Sequence, residues 1–170
     1  MEFATKKVQL KDGGVVKAQI WDTAGQEKYK AIINAHFRRA SGALVVYDIT
    51  NEKSFKSVSK WIKQLKEYAE PDLSIMLVGT KLDLVAQNAS RRKVPKDKAA
   101  LYAEKNGLLF EETSSVASKN VNEAFENLLQ DIYEKKSQMT ADSDNDQSIH
   151  LRSYSRIEEE KSCFSCGNSN

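Results

Sequence analysis

The sequence predicts an α/β protein built on a largely parallel sheet, and three patterns predict it. Two runs, from Gly42 to Ile49 and from Ser74 to Gly79, are apolar on both faces, as strands covered on both sides must be. Two longer stretches carry apolar residues on one helical face: Phe55, Val58, Trp61, Ile62, Leu65 and Tyr68, then Val121, Ala124, Phe125, Leu128, Leu129, Ile132 and Tyr133. Strands alternating with such helices imply right-handed crossovers onto one sheet.

The elements follow in order. Lys7-Val8-Gln9-Leu10 and Val15 to Ile20 flank Lys11-Asp12-Gly13-Gly14, and a glycine-rich turn between two β-prone runs predicts an antiparallel hairpin. Asn51 is placed to cap the helix through Phe55 to Tyr68. Pro95 followed by Lys96 to Asn106 and then Gly107 predicts another helix, with proline at its start and a glycine stop. Leu108 to Glu112 supplies the last strand. From 139 to 170 the chain turns to Ser, Asp, Asn and Glu, and Ile149, Leu151, Tyr154 and Ile157 are too sparse to build a core. The organisation expected is one folded unit over 1–138 and a flexible tail over 139–170.

Composition narrows the function. The 170 residues are 40% apolar and 29% charged, which suits one globular domain with its own core. Basic and acidic residues nearly balance, 26 against 24, so no nucleic-acid footprint is expected, and Arg91-Arg92-Lys93 reads as a solvated loop. The start, Met1 to Lys7, has no apolar signal region, and no apolar run is long enough to span a bilayer. Both cysteines, Cys163 and Cys166, lie at the C-terminal end, which fits a reducing, cytosolic compartment.

Three segments carry chemistry, and each follows a strand at its carboxyl end, where open α/β sheets bind ligands. In Trp21-Asp22-Thr23-Ala24-Gly25-Gln26-Glu27, Asp22 ends a strand and can hold Mg²⁺ through water. Gly25 lets a backbone N–H approach a γ-phosphate oxygen, and Gln26 can orient an attacking water. In Gly79-Thr80-Lys81-Leu82-Asp83, the Asp83 carboxylate can accept both donors on the N1 and 2-amino edge of guanine, an edge adenine lacks, while the Lys81 stem covers the ring. In Glu112-Thr113-Ser114-Ser115-Val116, backbone N–H groups can meet the guanine O6. Each string alone also reads as an ordinary strand-ending turn; the three together point to a guanine-nucleotide site.

These residues are what a small GTPase looks like, and the stretches around them resemble the Rab family. Phe3-Ala4-Thr5-Lys6, Lys17 to Glu27, Tyr29-Lys30-Ala31-Ile32, Gly42 to Ile49, Ile75 to Gly79, Ala103 to Leu108 and Asn120-Val121 are similar to the Rab branch that serves recycling endosomes. The resemblance runs from about Glu2 to Gln138. It implies a Ras-like G domain of the P-loop NTPase fold that binds GTP/GDP with Mg²⁺, with Gln26 as the hydrolysis residue, Asp22 at the metal, and Thr80, Lys81, Asp83, Ser114, Ser115 and Val116 at the base. The partners it implies are effectors, an exchange factor, a GTPase-activating protein, a GDP-dissociation inhibitor and the prenylation machinery. The location it implies is cytoplasmic, reversibly on the cytosolic face of endosomal and vesicle membranes.

The chain departs from that pattern in three places. Thr80 stands where a Rab more often has Asn; Rho proteins share this feature, but the chain lacks the helical insert that Rho carries after the motif. No G-x-x-x-x-G-K-[ST] phosphate loop occurs in the 170 residues. The family's first strand, phosphate loop, first helix and first switch need roughly 30 or more residues ahead of Glu2. The sequence therefore reads as an incomplete G domain, N-terminally truncated, with an unpaired strand edge expected on either side of the missing first strand. Losing three or four charge-assisted contacts at about 1.5–3 kcal/mol each lowers nucleotide affinity by roughly four to nine decades, and the chain alone is expected to aggregate or stay partly molten. Third, Cys163 and Cys166 are similar to Rab lipidation cysteines but sit further from the end than usual; two prenyl groups would anchor the chain to a membrane, and the alternatives are two reduced surface thiols or a zinc half-site.

Two functions stay open at this level. One is a Rab switch whose N-terminal segment has been left off, since Met1 falls in mid-strand. The other is a nucleotide-free interaction module that binds Rab partners through the second-switch surface, Lys28 to Phe37, without hydrolysis.

Overall fold

The computed structural model describes residues 2–11, 13–22 and 37–143. Gly25, Gln26, most of the stretch from Lys28 to Phe37, Cys163 and Cys166 lie outside them. Strand β1, Glu2–Gln9, and strand β2, Val15–Asp22, form the expected antiparallel hairpin, with Phe3 opposite Trp21 and Val8 opposite Val16. Gly13 makes the turn at φ 88°, a left-handed conformation that costs glycine nothing. Strands β3, Gly42–Asp48, β4, Ser74–Thr80, and β5, Leu109–Glu112, form a parallel sheet in that order. The register sets Leu44 beside Met76 and Val46 beside Val78.

The helices between them obey their end signals. Helix α1, Glu52–Tyr68, starts where the Asn51 side chain accepts from the Lys53 N–H, a cap worth about 1 kcal/mol. It buries Phe55, Val58, Ile62 and Leu65, spaced to fall on one face. Helix α2, Leu82–Gln87, and a 3₁₀ turn, Ala89–Arg91, follow β4. Helix α3, Lys96–Asn106, stops at Gly107, whose φ of 68° lets its N–H reach the last carbonyls. Helix α4, Val121–Ser143, continues past the boundary expected at 138.

The core has two halves, one on each face of the parallel sheet. On one face Val45, Tyr47, Ile75 and Leu77 pack with α1 and α3, and Tyr47, Phe55 and Tyr102 meet edge to face. On the other, Met76 and Val78 pack with Ala124 and Leu128 of α4, joined by Leu44, Leu109 and Ile132. The apolar face of α4 divides: Ala124, Leu128 and Ile132 meet the parallel sheet, while Val121, Phe125 and Leu129 turn toward the hairpin across a cavity of about 310 Å³. Hydrogen bonds from Lys6 to Asn122 and from Lys11 to Asn127 and Gln130 fix the hairpin to the same helix.

No ladder joins the two sheets among the described residues. Among the described residues β2 pairs only with β1, and β3 only with β4, so one edge of each is without a ladder. These are the two edges at which the sequence predicts an interruption.

Candidate functional site

The carboxyl ends of β3, β4 and β5 lie side by side because the strands are parallel and in register. Each ends in a residue with a polar side chain. At the end of β3, Asp48 accepts from the Thr50 N–H at 2.8 Å and the Thr50 hydroxyl at 2.6 Å, closing a tight side-chain turn. At the end of β4, the Thr80 hydroxyl donates to the Tyr47 carbonyl at 3.3 Å, stitching that end to β3. Lys81 then takes a left-handed φ of 70°, which swings the chain out of the strand and into α2. Its ammonium meets the Asp48 carboxylate at 2.7 Å. Partial burial pushes the Asp48 carboxyl upward, but the hydrogen bonds from Lys81 and Thr50 outweigh it and hold the group below the usual carboxylate range.

The loop after β5 docks against the loop after β4. The Thr113 N–H donates to the Gly79 carbonyl at 2.7 Å, and the Leu82 N–H donates to the Thr113 carbonyl at 3.1 Å. The Ser114 hydroxyl donates to Asp83 at 2.6 Å while accepting from the Ala117 N–H at 3.0 Å. Ser114 is buried, so this bond orients Asp83 from beneath and leaves its second oxygen uncommitted. Ser115 is exposed and Val116 is 84% exposed at the rim. Asn120, at φ 57°, closes the loop by donating to the Glu112 carbonyl at 2.8 Å and to Glu111 at 3.2 Å.

Thr80, Lys81, Asp83, Ser114, Ser115 and Val116 therefore occupy two adjoining loops tied by direct hydrogen bonds. Asp22 ends β2, exposed, on the other sheet. No hydrogen bond or ion pair joins it to those loops, and no group of three or more His, Cys, Asp or Glu side chains gathers among the described residues. The residues that the sequence assigns to a base are thus brought together, with a carboxylate held by Ser114, a lysine beside it and an exposed rim at Ser115 and Val116, a donor set whose chemistry fits a guanine. The phosphate half of the sequence prediction rests on Gly25 and Gln26, outside the described residues.

A family model described as "Ras family" matches residues 1–134. The chain belongs to the Ras family. Its α/β architecture, an antiparallel pair beside a three-stranded parallel sheet, is that of a partial Ras-like G domain. A small-GTPase switch is the function class this membership carries, and Ras-family domains bind guanine nucleotide with Mg²⁺ and act through regulators and effectors.

In this Ras-family chain two supporting residues were not legible as such. Asp48, which anchors Lys81, looks in sequence like any strand-ending aspartate. Arg92, expected to be solvated with its neighbours, instead pairs with Glu112 at 2.6 and 2.8 Å directly below the loop that carries Ser114. The correction has a physical cause: Glu112 is 3% exposed, and a carboxylate so deep draws in the nearest guanidinium. Arg91 and Lys93 are exposed as expected.

Proposed function

We propose that the chain is the greater part of a Rab-type guanine-nucleotide switch acting in vesicle-mediated traffic at recycling endosomes. The observation that carries the reading is the 2.6 Å bond from Ser114 to Asp83, which unites the two loops that read a guanine base. The Rab-like stretches from Phe3 to Val121 support the subfamily. In this reading Asp83 accepts the guanine edge, Lys81 covers the ring, and Asp22, Gly25 and Gln26 serve the metal, the γ-phosphate and the water. Bound GTP would supply the γ-phosphate that the switch senses, and Mg²⁺ would offset its negative charge. Cys163 and Cys166 carry the membrane anchor.

The test has two arms. Anisotropy titration with a fluorescent GDP is run on this chain and on one extended upstream by a phosphate-binding segment: tight, magnesium-dependent binding is expected only in the extended chain. Tight binding that survives Asp83→Ala in the extended chain would overturn the base assignment. In cells, the extended chain should collect on recycling-endosome membranes and become diffuse when both cysteines are replaced by serine; a diffuse parent would overturn the trafficking role.

A second reading, a nucleotide-free interaction module, is favoured by one observation. Phe3 and Trp21 stack across the hairpin at 5.0 Å while remaining 58% and 45% exposed, a ready aromatic contact surface. Capture of Rab partners by nucleotide-free chain, lost in Trp21→Ala, would support it.

A further inference from the structure

The outer face of α1 is a row of lysines. Lys53, Lys56, Lys60 and Lys63 recur at helical intervals opposite the buried Phe55, Val58, Ile62 and Leu65, and all four are exposed. At 1.5 Å per residue the row is about 15 Å long. Glu52 stands at one end, 3.5 Å from Lys56 and from Lys98, and Glu67 stands at the other, bonded to Tyr68. With Lys66 the helix holds five lysines against two glutamates, a larger excess than the +2 of the whole chain. Helix α1 also ends where α4 leaves the sheet. It runs back from the end of β3 to the start of β4, and there Lys135 of α4 donates to the Ser74 hydroxyl at 3.1 Å while Lys136 donates to Ser41, just ahead of β3, at 2.8 Å. Helix α4 is described as far as Ser143.

We propose that the lysine row on α1 is the docking surface for Glu158-Glu159-Glu160 of the same chain. This triplet is the chain's one run of three acidic residues, and Arg156 and Lys161 beside it limit the contact to its three carboxylates. From Ser143 to Glu158 the chain can extend about 50 Å, at about 3.3 Å per residue, whereas α4, the sheet and α1 are three layers of about 10 Å each. Exposed ion pairs are individually weak, so a separate acidic peptide would have to be present at roughly millimolar concentration, which a tether supplies by itself. A flat anionic bilayer matches less well, because Glu52 and Glu67 bound the row and would meet it with like charge, while a short triplet fits between them. Docking holds Cys163, three positions past Glu160, beside α1 and makes release of that end depend on ionic strength. The inference rests on neither the nucleotide nor the trafficking reading.

The test is zero-length carbodiimide coupling of lysines to carboxylates in the full chain, mapped by mass spectrometry on a mixture of ordinary and isotope-labelled protein. Coupling of Glu52 to Lys98 serves as the fold reference. The expected result is coupling of the triplet to Lys53, Lys56 and Lys63 within one chain, at least about fivefold above its coupling to the exposed Lys105 of α3, and falling to that level in about 0.5 M salt. Lys53→Glu, Lys56→Glu and Lys63→Glu together should bring it to the Lys105 level; adding Glu158→Lys, Glu159→Lys and Glu160→Lys should restore it with the charges exchanged. Coupling to α1 no greater than to Lys105 overturns the proposal, as does a charge-exchanged chain that regains nothing while Glu52 still couples to Lys98. Coupling only between differently labelled chains overturns it in favour of a second copy. Sedimentation with phosphatidylserine vesicles that requires the α1 lysines, in a chain whose triplet does not couple to them, overturns it in favour of a membrane surface.

Discussion

Arg92 and Glu112 form a two-pronged ion pair, 2.6 and 2.8 Å, that clamps the segment before α3 to the end of β5. Arg92 also donates to the Val94 carbonyl at 3.1 Å, and the N–H groups of Lys93 and Val94 both reach the Ile49 carbonyl. The clamp thus ties together the end of β5 and the residue after β3, next to the loops that follow β4 and β5.

Arg92→Ala leaves a buried carboxylate without its partner and should destabilise the parallel sheet by about 3 kcal/mol. Replacing both partners, Arg92→Met with Glu112→Leu, should recover most of that loss. Native-state hydrogen exchange at the β4 amides checks both, and equal losses in the single and double variants would contradict the assignment.

Tyr47 presents the reverse case. Its hydroxyl is buried with no hydrogen-bond partner, and burial together with the Glu112 charge pushes its pKa far above the ordinary tyrosine value, against a smaller opposing pull from Arg92. An orphaned buried hydroxyl costs about 1–3 kcal/mol, so Tyr47→Phe should stabilise the sheet by about 1 kcal/mol. A methyl at Gly79 would meet the Tyr47 hydroxyl at 2.9 Å and Ile49 at 2.8 Å. Gly79→Ala should therefore cost about 1–3 kcal/mol, with partial relief when combined with Tyr47→Phe. The same exchange measurement reads all three variants.

Acid should weaken two carboxylate contacts, one at the candidate site and one on α4. The Asp48 carboxyl is lowered by Lys81 and Thr50 against the pull of burial, and the Asp131 carboxyl is lowered by Lys135 and Ser74 against the same pull. A depressed folded value means that the stability is fully present above the unfolded carboxylate range, near pH 4, and is lost as the pH falls through the lower folded value. Asp48→Asn should flatten this part of the acid profile. Exchange at the Lys81 and Leu82 amides between about pH 5 and pH 2 follows it.

Self-association is expected of the chain alone, because among the described residues one edge each of β2 and β3 is without a ladder, and such edges invite pairing. Size-exclusion chromatography with light scattering should show oligomers or aggregate, reduced in Val46→Lys. A parent that runs as a monodisperse monomer with a cooperative thermal transition would contradict this.

For hydrolysis, Gln26→Leu in a chain that binds nucleotide should slow GTP turnover roughly tenfold or more while leaving GDP affinity unchanged. Single-turnover phosphate release gives the rate, and an unchanged rate would remove Gln26 from its role.

Much of the fold was legible because its signals are local. Asn51, Pro95 and Gly107 marked helix ends that the structure keeps within a residue, and runs apolar on both faces marked β3 and β4. Helix α2 escaped notice because six residues are too few to show a period, and its start depends on Lys81 adopting a positive φ that nothing in a lysine announces. Helix α4 runs on to Ser143, past Gln138 where the composition turns polar, because such residues also extend a helix. Within the candidate site, motifs single out Asp83 and Ser114, but the bond between them spans 31 positions and the Arg92 pair spans 20. Partners so distant in the chain leave no periodic trace.

The division of α4 into two apolar stripes gives one rod custody of two sheets that share no ladder among the described residues. The ribbon of β1 and β2 and the slab of β3 to β5 each lean on it from different sides. A proline set into its middle, at Glu126, would release the ribbon and the slab together.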